Sequence, residues 1–503
     1  LTIALTACAG DAWIDSAHVD PDTSSASVTS SASEAGEDHG HEDDNDDDHD
    51  DDHDDDHADG DEADVHAQGS KDLRLPPQAL DLDPRPGFVR YDLNVAASKR
   101  VVQGIEDEVY AYNGSVPGPT LRAKIGDTVS IRYTNNLSVP TSIHWHGLEV
   151  PWEMDGVAYV QAPVQPGETF EAQFVVNQTG TFWYHPHVNS EVQVDRGLYG
   201  AFIVEEAEKV VGVQEVVIAA DVWNEPIVFP DAMTRGGGDG EQHDHSIQGQ
   251  WLANGQFGGD VWVPPQTPVR LRVINASNSG YLELSWPKMR RIAGDQGLLA
   301  QPQDIDAEVL APGDRAEFEV QVGASRVEVL ARPYSMFGPV EHGPTQTLFT
   351  LRPIMPGPAA DPVRWPTVAH PLPTPPSNPD VVYVLQGESA TETWRINGEA
   401  FPDVTVHEFP LGRDIFIEVR NLSATNHPFH AHGHVFEVLN INGIASSYYR
   451  LEDNLDIPRG AYALLRMRPI HPGLWLAHCH TLCHAHAMAT LYRVSEPSQI
   501  ARN

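Results

Sequence analysis

The sequence predicts an all-β protein, three consecutive β-sandwich domains behind a disordered, acidic N-terminal segment. Three observations predict it. From about residue 80 the chain is punctuated by Pro and Gly between short alternating apolar runs, and long amphipathic helical patterns are scarce. One stretch recurs three times: YNGSVPGPTLRAKIGDTVSIRYTNN from Tyr112, LANGQFGGDVWVPPQTPVRLRVINAS from Leu252 and INGEAFPDVTVHEFPLGRDIFIEVRNLS from Ile396. Each begins with an Asn-Gly turn (Asn113, Asn254, Asn397), so the period is close to one domain's length and marks duplicated domains. Finally, 503 residues are enough for about three domains.

Taken from the N-terminus, LTIALTACAG reads as the tail of an apolar signal segment. Leu5-Thr6-Ala7-Cys8 resembles a bacterial lipoprotein box, with residues 1–7 removed and Cys8 lipidated. An ordinary cleaved secretory peptide is the alternative. Both routes predict an exported protein of the cell envelope or periplasm, and the first adds membrane attachment through Cys8. No run of about 18 apolar residues exists, so a spanning helix is not expected. Net charge is −42, much of it in EDHGHEDDNDDDHDDDHDDDHADGDEADVH (37–66). That tract has almost no large apolar side chain to offset the entropy of ordering, so residues 8–78 are expected to form a disordered Asp/His-rich linker. Its carboxylates and imidazoles also suit weak chelation of divalent metals. Such acidity opposes nucleic-acid partners.

The expected domains span 79–208, 209–356 and 380–497, with a linker at 357–379 that ends in PLPTPPSNP, a stiff extended composition. The second halves of the first and third domains match as well. GTFWYHPH (180–187) and GLWLAHCH (473–480) each place Gly five residues before the first His. They follow PGETFEAQFVV and PRGAYALLRMR; the middle repeat offers PGDRAEFEVQV but no histidine pair after it. Ligands are therefore expected in the first and third domains and not in the second. With only three cysteines, Cys8, Cys479 and Cys483, no disulfide framework is expected.

Four histidine clusters stand out: HWH (144–146), HPH (185–187), HPFHAH (427–432) and HCHTLCH (478–484). On a strand, His478 and His480 share one face while Cys479 looks the other way. A thiolate with imidazole and a nearby thioether suits blue copper, although zinc also takes Cys and His. A single His-x-His pair is weak evidence of a ligand set, since core and surface histidines are common. Four clusters at equivalent points of two repeats are not explained by chance.

On these motifs (HWHG, HPH, HPFHAHGH and HCHxxxH) the chain resembles the multicopper oxidases, the laccase-like family of three cupredoxin domains, from about residue 80 to 497. The resemblance implies Greek-key cupredoxin-like sandwiches and four copper ions: one type 1, one type 2 and two type 3. Carried over by position, the type 1 copper takes His427, Cys479 and His484, and the type 2 copper His144 and His430. The type 3 pair takes His146, His185, His187, His432, His478 and His480. The resemblance also implies that electrons enter at Cys479 and pass through its histidine neighbours to reduce dioxygen to water.

Two positions depart from the family. Its usual axial place is occupied by Ala489, with Met488 one residue early. A shortened ligand loop would make Met488 a weak axial ligand; the alternative is a core methionine beside an axially empty site. Ala485 stands where some bacterial relatives carry an acid, while a family-like acid survives in MDG at Asp155. Asp155 is expected to relay protons, or else to be a turn aspartate of a Asp-Gly hairpin. His434 and His471 are expected to bind nothing, and His486 holds no family ligand position but is not excluded from the copper's edge. His243 and His245 fall in an acidic, Gly-rich loop that could gather a metal, although surface-loop histidines usually do nothing specific.

The leading expectation is an oxidase for a phenolic or metal-ion donor, with an envelope cuprous oxidase as the variant for copper tolerance. The seven methionines are scattered singly, which weakens a Cu(I)-binding role, while the Asp/His tract and export favour it. A copper nitrite reductase is disfavoured by the threefold repeat, and a non-catalytic copper protein by the full ligand set.

Overall fold

A computed structural model describes residues 72–102, 105–208, 210–223, 250–339, 344–366, 374–387, 393–446 and 449–496. Cys8, the Asp/His tract, His243, His245 and residues 371–373 of the Pro-rich linker lie outside them. Among the described residues the chain is strand throughout, apart from the short helices Ser190–Asp195 and Leu482–Ala485 and a 3-10 turn at Trp152–Met154.

The three repeats fold alike because the same residues make the same turns. Asn113, Asn254 and Asn397 all have positive φ (51°, 51° and 55°), and each is followed by a positive-φ Gly, as a type I′ turn requires. Each Asn side chain bonds the neighbouring strand twice; Asn254, for example, accepts from the N–H of Ala219 and donates to the carbonyl of Val217. The strands that follow end in Asn135, Asn275 and Asn421, all fully buried. Each of these amides donates to two carbonyls and accepts one backbone N–H, which closes the loop after the strand.

In every domain the opening strand lies parallel to the strand that ends in that Asn. Phe88–Val102 pairs Thr128–Asn135, Gln214–Trp223 pairs Val269–Asn275, and Val381–Gln386 pairs Ile415–Asn421. Parallel neighbours cannot be joined by a tight hairpin, so the chain crosses to a second sheet between them. That second sheet holds the histidines. In the first domain it runs Gly118–Lys124, Gly200–Glu205, Gly180–His185, His144–His146; in the third, Val406–Pro410, Ala489–Ser495, Gly473–Cys479, His427–Ala431, Asn454–Ile457. Each pair of sheets encloses its own apolar core, of which Val95, Val129 and Phe182, Leu271, Phe318 and Leu348, and Val419, Phe429 and Leu465 are fully buried members. Burying such a side chain is worth roughly 1.5–3 kcal/mol.

The expected linkers are less loose than their composition suggests. Residues 72–78 fall in the N-terminal linker, yet Asp72 bridges to Asp260, Leu73 is buried in the middle domain's core and Gln78 bridges to Thr120. One apolar side chain with a sheet edge to pair against is enough to tie the segment down. Similarly, Trp365 of the 357–379 linker is buried, donating from Nε1 to Glu319 (2.6 Å) with Arg270 over its ring.

Candidate metal centre

Strand register gathers the candidate residues. His144–His146 pairs antiparallel with Gly180–His185, setting His144 opposite His185. In the third domain Phe429 lies opposite Cys479 and His430 opposite His478. Alternation then sorts the side chains: Cys479 enters the third domain's core with Phe429 and Met488, while His478 and His480 face the first domain. Three all-histidine groups form there, each with its ligand atoms within 4.8 Å of one another: His144, His146 and His430; His146, His185 and His480; His187, His432 and His478. All eight histidines of this nest are buried except His187, which is partly exposed. Behind it, His427, Cys479 and His484 form a fourth group, with Sγ of Cys479 at 3.4 Å from Nδ1 of His427 and 3.8 Å from Nδ1 of His484. The turn Leu482–Ala485 closes this pocket, returning the chain so that Cys479 N–H donates to the carbonyl of Met488 (3.0 Å).

The ring nitrogens are arranged for metal. Nδ1 of His144, His185, His430 and His478 faces a backbone carbonyl at 2.8–3.0 Å, and Nδ1 of His432 faces the Asp155 carboxylate at 2.9 Å. Each acceptor holds the ring's proton on Nδ1 and leaves the Nε2 lone pair aimed into the nest. Nε2 of His144, His185 and His430 is buried without a hydrogen-bond partner. Nε2 of His432 and His478 face each other at 3.0 Å, and with both rings protonated on Nδ1 they are two acceptors that a cation between or beside them would reconcile. Orphaned buried acceptors at this density are costly unless they bind something.

Electrostatics agrees. Burial first, and neighbouring histidines second, hold His146, His185, His432, His478 and His480 far below the usual imidazole range, in the neutral form that binds metal. Burial pushes His427 down to about 3 and the Cys479 thiol up to about 12.

Asp155 is no ordinary turn residue. It is 1% exposed and its carboxylate spans the two domains, 3.3 Å from Nδ1 of His144 and 2.9 Å from Nδ1 of His432. Gly156 makes this approach feasible: at φ +79° a Cβ there would lie 1.9 Å from the carbonyl oxygen of Ile143. Met488 is fully buried in the core that contains Cys479. Among the other histidines, His434 is buried against the hydroxyl of Tyr492, and His486 is exposed at the end of the closing turn.

Three residues were missed by sequence reasoning. Asp453, 1% exposed, sits 3.0 Å from Nε2 of His146 and 3.4 Å from Nδ1 of His430. Burial raises its pKa, but the Arg315 guanidinium and, after it, the His430 ring more than reverse this and hold it well below the carboxylate range. Trp394 stacks on His484 (ring centroids 3.8 Å apart, 30° between planes) and is itself 2% exposed. Ser423 offers its hydroxyl to Nε2 of His427 at 2.7 Å. None lies in a histidine motif. The available signal was weak: the Asn-Leu-Ser strand ending for Ser423, and an Asp between Glu and Asn in LEDN for Asp453.

Two family profiles described as multicopper oxidase match this chain, one over residues 94–209 and the other over 373–498, the two segments that supply every residue of the nest and pocket. The chain belongs to the multicopper oxidase family. Multicopper oxidase MmcO of Mycobacterium tuberculosis is 26% identical over 432 residues, covering 75% of this chain and 82% of that one. Copper resistance protein A of Escherichia coli is 30% identical over 293 residues, 48% of this chain and 46% of its own. The crystal structure of a multi-copper oxidase from Pseudomonas thermotolerans superposes with a TM-score of 0.68 at 28% identity, covering 81% of this chain and 99% of that one. As a multicopper oxidase the protein is a copper-dependent oxidoreductase, and its clustered imidazoles and buried thiol fit copper by donor type. No helix among the described residues is long and apolar enough to cross a membrane.

Proposed function

We propose that this multicopper oxidase couples four one-electron oxidations of Cu(I) to the reduction of dioxygen to two waters, consuming four protons. The observation that supports it is the pair of back-to-back donor sets on the two faces of one strand, a Cys479 pocket on one side and the histidine nest on the other. His427, Cys479 and His484 would hold a type 1 copper, with the buried Met488 as a further, weaker candidate donor. His144 and His430 would hold type 2; His146, His185 and His480, with His187, His432 and His478, would hold the type 3 pair. When bound, these coppers supply one-electron acceptance at the pocket and four-electron delivery to dioxygen at the nest.

The chain's own residues do the rest. Cys479 is joined through the backbone to His478 and His480, a covalent route between pocket and nest. Asp155 stands between His144 and His432, where it can hold a proton for the reaction. Seven of the eight nest histidines are buried, which limits bulk water and the side reactions it brings.

The donor reading rests on the cover over the pocket. His427 and His484 are both fully buried, and Trp394 lies across His484, so a phenol ring has no imidazole edge to lie against. A small metal ion that passes an electron across a covering side chain suits this better, and the likeness to copper resistance protein A points the same way. Export to the envelope fits such a role, and the Asp/His tract, rich in hard donors, suits capture of the Cu(II) product. The test is oxygen uptake by copper-loaded protein with Cu(I) and a simple phenol compared in one preparation. Fast uptake with Cu(I) alone is expected; fast uptake with the phenol and little with Cu(I) would make it a laccase.

A further inference from the structure

The middle domain holds no histidine of the nest, yet its PGDR turn presses against it. Arg315 begins the strand Arg315–Val320, where the equivalent strands of the other domains begin with Thr169 and Tyr462. Those two are exposed; Arg315 is 1% exposed. A buried guanidinium on a strand that elsewhere starts in solvent needs a cause, because desolvating a charge is costly unless it is fully paired.

Its partners supply that cause. Nη1 and Nη2 donate to the two oxygens of Asp453 at 2.9 and 2.5 Å, a fork-to-fork pair. Nε donates to the carbonyl of Thr181 in the first domain (3.0 Å), and Nη2 also to the carbonyl of Asp295 (3.1 Å). Asp453 in turn reaches His146 of the first domain and His430 of the third, whose rings stack at 3.9 Å and 10°. Gln296, also from the middle domain, donates to Asp453 Oδ2 at 2.6 Å. Beside them Gly313 has φ +89°, and a Cβ there would lie 2.9 Å from Nδ1 of His480. Three domains thus meet at one carboxylate, and the middle one holds it.

We propose that Arg315 is a positioning residue for the nest: it clamps Asp453, and through Asp453 fixes the spacing of the stacked His146 and His430 where the two histidine-bearing domains join. Lysine at this place keeps the charge but not the fork, so it cannot hold both carboxylate oxygens. This rests on the nest being the copper site proposed above.

The experiment compares wild type, Arg315→Gln and Arg315→Lys after copper loading. Its readouts are copper per chain, the visible blue band and the electron paramagnetic resonance of the non-blue copper. The blue band arises in the third domain's own pocket and reports that the fold survives. Arg315→Gln is expected to keep the blue band and lose the non-blue signal. Arg315→Lys is expected to keep that signal with altered hyperfine splitting. Unaltered copper content and signal in Arg315→Gln would overturn the proposal. So would loss of the blue band along with nest copper in both variants, since Arg315 would then merely hold domains together. A wild type that never gains a non-blue signal would instead refute the copper assignment of the nest.

Discussion

The cysteine pocket and the histidine nest lie on opposite faces of one strand, yet they are built differently. The candidate donors of the pocket come from 427–488, and the Trp394 and Ser423 that pack against them belong to the same domain. The nest draws His144, His146, His185 and His187 from one domain, His430, His432, His478 and His480 from another, and a buried clamp from the third. A site inside one core depends on local packing; a site at a junction depends on how domains dock. Perturbations should therefore separate the two.

The largest separation is expected from Cys479→Ser. The blue band vanishes and oxygen uptake falls to background, while the nest keeps its copper; metal analysis with visible absorption checks this. Loss of nest copper as well would show that the two sites are not independent. Asp155→Asn acts on the other side. The protein stays blue, and reoxidation of the reduced enzyme by dioxygen slows by about 10²-fold, the lower range of general acid–base assistance. Stopped-flow mixing measures it, and wild-type reoxidation would remove Asp155 from the proton path.

A pH experiment sharpens the contrast. The thiol of Cys479, pushed up to about 12, is protonated near neutrality in metal-free protein, whereas burial keeps His427 neutral. Copper entering the pocket is expected to displace one proton, from sulfur, and none from His427. A proton released on binding means tighter loading as pH rises, about tenfold per unit. Copper titrations of the blue band in buffers one unit apart test the slope, and a two-proton slope would contradict this expectation. The smallest effect is expected from Met488→Leu. The swap conserves volume and costs less than about 1.5 kcal/mol. It should raise the blue-copper potential in a spectroelectrochemical titration; an unchanged potential would leave Met488 as core packing alone.

Most of this architecture was legible because it is local. An Asn-Gly turn, a His-x-His pair and a strand's alternation are each written within a few residues, so the threefold repeat and the residues that gather in the nest could be read from the chain. Asp155 stood out through its place after HWHG. Arg315 did not, since PGDR differs from PGET only by one side chain and its burial depends on Asp453, 138 residues away. Trp394 and Asp453 were hidden for the same reason: long-range docking gives them their role. The linker ends were misjudged because composition averages over the single Leu73 or Trp365 that anchors a segment.

The split origin of the nest also governs when, along the chain, the site becomes complete. A polypeptide interrupted between residues 187 and 478 has made the first four histidines but lacks His478, His480 and Cys479. It cannot gather the complete set of imidazoles. The nest is therefore complete only once the last strands, Gly473–Cys479 and Ala489–Ser495, have paired and His478 and His480 face the histidines of the first domain.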